Sequence, residues 1–410
     1  MLVVVLLGIV LLREPRFAHV EDGFLRWLLE HSPGGSGPPV PLIVVDITRN
    51  ALMDPGSTPD AAGSPPAKSS SAGAASPLEF ALFLQSVLDF QPSVIAFENI
   101  LKWRERDKDQ EQIFLDQAMR VPKLLLAAEL GPTADLDAPW GDIRGFSQVT
   151  GRRGDLAAFG GIARQPNDDL RLISTQGFIN LPEEISSGIR VPLLFLYRGE
   201  VIPSFTLQAI MLWLRVTPAE VKVEVGSHIE LPQNRRIPVN RDGTLLVDPN
   251  ASSRARRFTL NELLLAAQQR DAGGAAAQRF SDLRDNLVLA RMPDNPLSPP
   301  DLFAATIASI QANRYLQRIS PIFDCVVLLL VSGLVGAASK VERVDLVLCG
   351  TAISAAYCLI ALGLLTRSNI WLPGFLPLGA IWFSIVAVLF FAKKEEAARD
   401  ATIALPPPAV

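Results

Sequence analysis

The sequence predicts an α/β domain with a largely parallel or mixed sheet, held between an N-terminal membrane anchor and three C-terminal transmembrane helices. Three observations lead to this reading. Short β-branched runs alternate with amphipathic helical segments in the first part of the chain, the order expected when crossovers build a parallel sheet. Apolar stretches at 322–339, 346–365 and 370–391 each come close to the roughly 20 residues that span a bilayer. Segment 1–12, MLVVVLLGIVLL, is apolar without interruption and is followed by Arg13 and Arg16.

Taken in order, segment 1–12 is shorter than a full span and lacks the basic n-region and small-residue cleavage site of a signal peptide. An uncleaved anchor whose start lies upstream of Met1 is the expectation, with a signal peptide as the alternative. Run 41–47, PLIVVDI, is β-branched and turns polar at Asp46 and Thr48, as a buried parallel strand does at its end. Residues 54–76 are dominated by Pro, Gly, Ser and Ala, so they bury too little apolar surface to offset the cost of ordering, and a solvated insertion is expected. Ser76, Pro77 and Glu79 form a helix start, with Ser as cap, Pro at the first position and Glu closing the capping box. Leu78, Ala81, Leu82, Leu84, Val87 and Leu88 then supply an apolar helical face.

Run 93–101, SVIAFENIL, is a second buried strand interrupted by Glu98. Charged 102–111 reads as a surface loop, 112–120 as a helix and 123–130, KLLLAAEL, as a third strand. Beyond it the pattern loosens. Segments 177–180, 190–196 and 203–205 with a helix at 206–214 suggest a strand pair and a packed helix. In 237–248, IPVNRDGTLLVD, Asp242-Gly243 between apolar arms signals a β-hairpin. A helix at 258–268, a last strand at 286–291 and an amphipathic helix at 301–316 complete the polar region, 13–320.

Charge sets the expected orientation of the membrane unit, 321–392. Lys340 and Arg343 lie in the first short connection, Lys393 and Lys394 follow the last stretch, and only Arg367 lies in the second connection. The positive-inside bias places the first connection and the tail 393–410 in the cytoplasm, and alternation then places 13–320 outside it. Arg13, Arg16, Arg314 and Arg318 run against that bias. Asp324 falls about one turn inside the first stretch, where interfacial water is within reach of the carboxylate. Small residues at Ser332/Gly336 and Gly333/Ala337 allow close helix approach, either within the three-helix unit or in a homodimer. Trp371, with Pro373 and Pro377, suits an interfacial start of the last helix.

Composition excludes several kinds of chemistry. The formal net charge is −4 without Lys/Arg clusters, so nucleic acid is not an expected partner. Cys325, Cys349 and Cys358 all fall in the apolar stretches, which leaves the polar region without a thiol nucleophile or thiolate ligand. His19, His31 and His228 are scattered, and no zinc spacing, phosphate loop, nucleophile elbow or glycosidase carboxylate pair is present. No metal or cofactor is expected. Asp46 and Glu98 remain, each near the carboxyl end of a predicted parallel strand, where ligands of open α/β sheets gather. Both carboxylates face one crevice in this reading, with Thr48 beside them. The plainer reading has them capping helices or pairing with a local arginine such as Arg49.

The order of segments resembles the second subtype of the CHASE domains, extracytoplasmic sensory domains associated with bacterial cyclases, histidine kinases and serine/threonine kinases. The likeness runs from Val44-Val45-Asp46-Ile47-Thr48 through 93–101, with Glu98 where Asp is usual, to Gly177-Phe178-Ile179-Asn180. It continues through Arg190-Val191-Pro192-Leu193, Pro203-Ser204-Phe205, Ile237-Pro238-Val239 with Asp242-Gly243, and Leu287-Val288-Leu289. Departures are Thr48 for a second acid, Arg291 where glycine is common, and Asp301-Leu302-Phe303-Ala304-Ala305 in place of a Gly-Val-Glu and His-Ala signature.

The resemblance implies a sensor of the inner membrane with its large domain extracytoplasmic, binding a small-molecule or envelope ligand. About twenty residues follow the last apolar stretch, too few for a catalytic domain. Output is expected through a separate protein such as a cytoplasmic kinase or cyclase, reached through the bilayer-embedded helices, with an independent membrane module as the other possibility. A membrane-tethered hydrolase or envelope-modifying enzyme is the alternative, and a structural role in an envelope complex a third.

Overall fold

The structure, a computed structural model, describes residues 16–32, 37–47, 76–103, 108–133, 143–181, 189–270, 283–293, 301–319, 343–375 and 377–386, with single residues between 274 and 280, between 323 and 333, and at 389. The chain divides into two compact units, 35–315 and 1–34 with 316–410. The expected anchor (1–12) and all of the expected insertion 54–76 except Ser76 lie outside the described residues.

Unit 35–315 is built on a seven-stranded sheet. Strand β1 (Leu42–Asp46) is followed by helix α1 (Pro77–Leu88), β2 (Val94–Phe97), helix α2 (Lys108–Ala118) and β3 (Leu124–Gly131). These three strands run parallel, but β1 and β2 are not neighbours. The last strand of the unit, β16 (Leu287–Arg291), lies between them and pairs parallel with both. Strand β15 (Arg256–Thr259) pairs parallel with β1 at one edge. At the other edge β3 pairs parallel with β7 (Thr175–Phe178) over its first part and antiparallel with β6 (Gly161–Arg164) over its last residues.

The continuous apolar runs are explained by burial on both faces. Leu42 and Val44 of β1, Val94 and Ala96 of β2, and Leu287 and Leu289 of β16 join one core, with α4 (Phe205–Leu214) and α6 (Leu302–Gln311). The alternate residues Ile43, Val45, Ile95, Phe97, Val288 and Ala290 join a second core with α1, α2 and α5 (Leu260–Gln269). The short helix α3 (Asp168–Ile173) adds Leu170 to this second core.

Smaller sheets complete the first face. Strands β4 (Gln148–Gly151), β11 (Lys222–Val225), β12 (His228–Leu231) and β13 (Arg235–Pro238) form one. Strands β5 (Ala158–Phe159), β9 (Leu194–Tyr197) and β10 (Glu200–Pro203) form another, and β8 (Arg190–Pro192) pairs with β14 (Thr244–Leu246).

Several expectations need correction. Segment 258–268 is not one helix: Arg256–Thr259 is an edge strand, and α5 starts after it with Thr259 and Glu262 closing a capping box. Asp242-Gly243 forms a turn, closed by the Gly243 amide on the Asn240 carbonyl at 3.0 Å. Its arms meet only at the turn, where the Asn240 amide donates to the Thr244 carbonyl at 2.9 Å; beyond it β13 pairs with β12 and β14 with β8. Helix α2 begins inside the charged stretch assigned to a loop, and α6 ends at Gln311 rather than 316. The box at Ser76 and Glu79 is present as read, and the β9–β10 pair turns at Arg198-Gly199, both with positive φ as a two-residue hairpin requires.

In the other unit, the start of the polar region forms helix Arg16–His31, and a two-strand parallel pair joins Gln317–Arg318 to Ile370–Trp371. Stretch 346–365 lies within helix Arg343–Ser368. Among the described residues, Val344–Ser368 is the one helix long and apolar enough to cross a membrane, with 25 residues and mean hydropathy 2.1. Stretch 370–391 opens as a strand and then becomes helical, and its described run Pro377–Val386 is shorter than a span. Most of 322–339, Asp324 among it, lies outside the described residues.

Trp371 is buried, with the Arg318 guanidinium 5.6 Å from its ring centre. Of the small-residue pairs, only Gly333 is described, and it has open space beside it. A close helix contact forms elsewhere, where Gly350 meets Ile385. Glu21 fixes the start of the last helical segment, its carboxylate accepting the amides of Gly374 at 2.8 Å and Phe375 at 3.1 Å.

Candidate ligand-binding site

The parallel strands deliver charged side chains to one end and one face of the large sheet. Alternation puts Asp46, the last residue of β1, on the same face as Leu42 and Val44, and Arg291, the last residue of β16, on the face of Leu287 and Leu289. Asp46 and Arg291 are direct register partners. Ala290 is opposite Phe97, so the next step of the ladder sets Glu98 beside Arg291 on its other side, and the Glu98 amide donates to the Ala290 carbonyl at 3.2 Å. The two predicted carboxylates thus flank one arginine, on strands separated by a single strand and so roughly 10 Å apart in backbone.

Their surroundings differ. Glu98 is 2% exposed. Asp46 Oδ1 stands 3.4 Å from Arg291 Nε, and Oδ2 stands 3.9 Å from Nε of Arg257 on β15. Asp46 Oδ1 is buried and accepts no hydrogen bond, so its compensation is Coulombic. Both arginines also pair with Asp301 Oδ1. Asp301 precedes α6 in the left-handed region at φ 62, and its side chain serves the arginines instead of capping the helix. The result is a balanced square of two arginines and two aspartates, with Glu98 as a fifth, buried member beside it.

Part of the plainer sequence reading therefore holds, since Asp46 is ion-paired, but its partners come from distant strands. Thr48 and Arg49 lie outside the described residues. Sequence reasoning did not place Arg257, Arg291 and Asp301 in the site. The available signal was an Arg closing the apolar run LVLAR, matched in parallel by the Asp closing LIVVD.

The backbone is held equally firmly, with the Ile47 amide on the Arg291 carbonyl at 2.8 Å and the Met292 amide on Asn99 Oδ1 at 3.3 Å. Among the described residues, no cluster of three His, Cys, Asp or Glu side chains is placed to hold a metal ion. His228 has Nδ1 2.9 Å from Ser227 Oγ and is not part of this cluster. The ion pairs link the end of β1 to the residue before α6, since Arg291 pairs with both Asp46 and Asp301.

A model of the CHASE2 domain matches residues 2–291, a span that ends on the last residue of β16. Comparison with curated proteins and with solved structures gives no match. The order of elements first noted in the sequence and the match over most of the chain agree, and the chain belongs to the CHASE2 domain family of extracytoplasmic sensory domains.

Proposed function

We propose that this chain is a multi-pass sensor of the cytoplasmic membrane, anchored by 1–12 and by three helices within 321–392, with 13–320 extracytoplasmic and 393–410 cytoplasmic. The observation that carries the reading is the family match over the α/β unit, followed in sequence by the apolar helix Val344–Ser368. The ligand is a small molecule or envelope component with a cationic or hydroxyl group, received at the crevice by Asp46, Thr48 and Glu98. Its arrival draws Asp46 from Arg291 and reweights the Arg291–Asp301 pair at the start of α6. That helix is the last of its unit, and the chain passes from Tyr315 directly into the other unit. A cytoplasmic kinase or cyclase, as a separate partner, receives the signal through the membrane helices. Such a shift requires only that ligand bind the two packings with different affinity.

Single cysteines in a background lacking the native three test the topology. Met119, 59% exposed just after the end of α2, is replaced by Cys in one variant and Ala404 in another. A membrane-impermeant maleimide applied to spheroplasts is expected to label M119C at once and A404C only after lysis. The opposite pattern sinks the proposal.

A further inference from the structure

Away from the ion-paired cluster at the strand ends, β7 and α4 border a cavity of about 430 Å³ in the same unit. Helix α4 lies hard against β7 because residue 177 is glycine: a Cβ there would stand 2.9 Å from Phe205 Cα. Beside that contact the walls are partly apolar, with Phe178 from β7 and Leu212 from α4. Two arginines, Arg144 and Arg171, and two glutamines, Gln176 and Gln208, share the lining with the hydroxyls of Ser174, Thr175 and Thr217, and no Asp or Glu among the described residues does.

The polar groups have unused capacity. Arg144, Gln176 and Gln208 make no side-chain hydrogen bond or ion pair among the described residues. Arg171 spends Nη1 on Asp168 Oδ1 at 2.9 Å, while its Nε is buried without an acceptor. A buried N–H of a charged group without a partner is costly, and such groups are rarely left so in folded proteins. A hollow of this size, with apolar walls and a few converging donors, is a common form of a small-molecule site.

We propose that this cavity binds a small amphipathic carboxylate, its apolar body against Phe178 and Leu212 and its carboxylate on Arg171 and Arg144. A single negative charge matches the lining. Arg171 already shares its charge with Asp168, which is too little for a dianionic phosphate but suits one charge-assisted pair. The site is separate from the strand-end crevice, and binding here holds whether or not signal passes through the membrane.

The probe is 4-phenylbutyrate, titrated calorimetrically into the full chain in nanodiscs with empty nanodiscs as blank, against 4-phenylbutanol as the uncharged match. The carboxylate is expected to bind at least about tenfold more tightly than the alcohol, the scale of one charged hydrogen bond. R144Q, at an exposed position that the fold does not need, and R171Q each reduce that preference. D168N frees the second arm of Arg171 and strengthens carboxylate binding. Equal binding of acid and alcohol, no binding of either, or unchanged affinity in R144Q, R171Q and D168N overturns the assignment. Maleimide topology fails or succeeds independently of these titrations, so the two readings are separable.

Discussion

Replacing Arg291 by Met keeps the length of the side chain and removes the charge at the centre of the strand-end square. The Arg291 side chain is 8% exposed, against 17% for Asp46 and 28% for Asp301, so the group removed is the most buried of the three. Deleting one partner of a buried pair costs about 3–5 kcal/mol, chiefly because the remaining charges stay desolvated and uncompensated. Arg257 still lies 3.9 Å from Asp46 and pairs with Asp301, so the lower end applies, about 3 kcal/mol. In a unit of this size that corresponds to a fall in melting temperature of about 6 °C. Denaturant titration of the full chain in nanodiscs, followed by tryptophan fluorescence, measures it. A cycle with Asp46→Asn separates cause from coincidence: the double variant should recover more than about 1 kcal/mol relative to the sum of the singles, since the orphaned carboxylate is gone. A loss under about 1 kcal/mol for R291M, or strict additivity in the cycle, refutes the view that Arg291 holds the site together.

Gly177→Ala brings a Cβ within 2.9 Å of Phe205 Cα, so α4 must shift from β7 at a cost of about 1–3 kcal/mol, read in the same titration. Burial pushes the Asp248 carboxyl up, more than its hydrogen bond to the Asn250 amide and the nearby Arg254 pull it down. A raised folded pKa contributes stability below the unfolded value, about 3.9, that is lost as pH rises through the folded value. Asp248→Asn, which keeps an acceptor for Asn250, should therefore melt higher than the parent at pH 7, with the gap narrowing as pH falls toward 4, seen in melting curves across that range. Glu21→Ala leaves the Gly374 and Phe375 amides without their acceptor, and about 2 kcal/mol of local stability is lost. Limited proteolysis near residue 374 should then accelerate while cutting in 35–315 stays unchanged.

The legible part of the fold was the part written locally. The LIVVD run, the Ser76–Glu79 box and the LLLAAEL run each carry their own periodicity or cap, and each appears where the sequence puts it. Strand β15 was hidden because RRFT is a charged, half-exposed edge whose only strand signal is its pairing with β1. Asp242-Gly243 specified a turn but not the partners of its arms, which depend on strands far away in sequence. The same limit applies to the site. Asp46 and Glu98 were visible as polar ends of apolar runs, whereas their joint neighbour Arg291 is supplied by a register between β1, β16 and β2 that no local pattern encodes.

The seat of β16 between β1 and β2 bears on how the polypeptide reaches its native state. Synthesis proceeds from the N-terminus, so β1 and β2 leave the ribosome long before the strand that must join them, and neither can zip to the other in the meantime. The middle of the sheet closes only once residue 291 is free to insert, which makes folding a late, long-range event with slow kinetics. Until then two strongly apolar edges stay open, so truncations short of residue 291 should yield aggregating fragments rather than smaller stable domains.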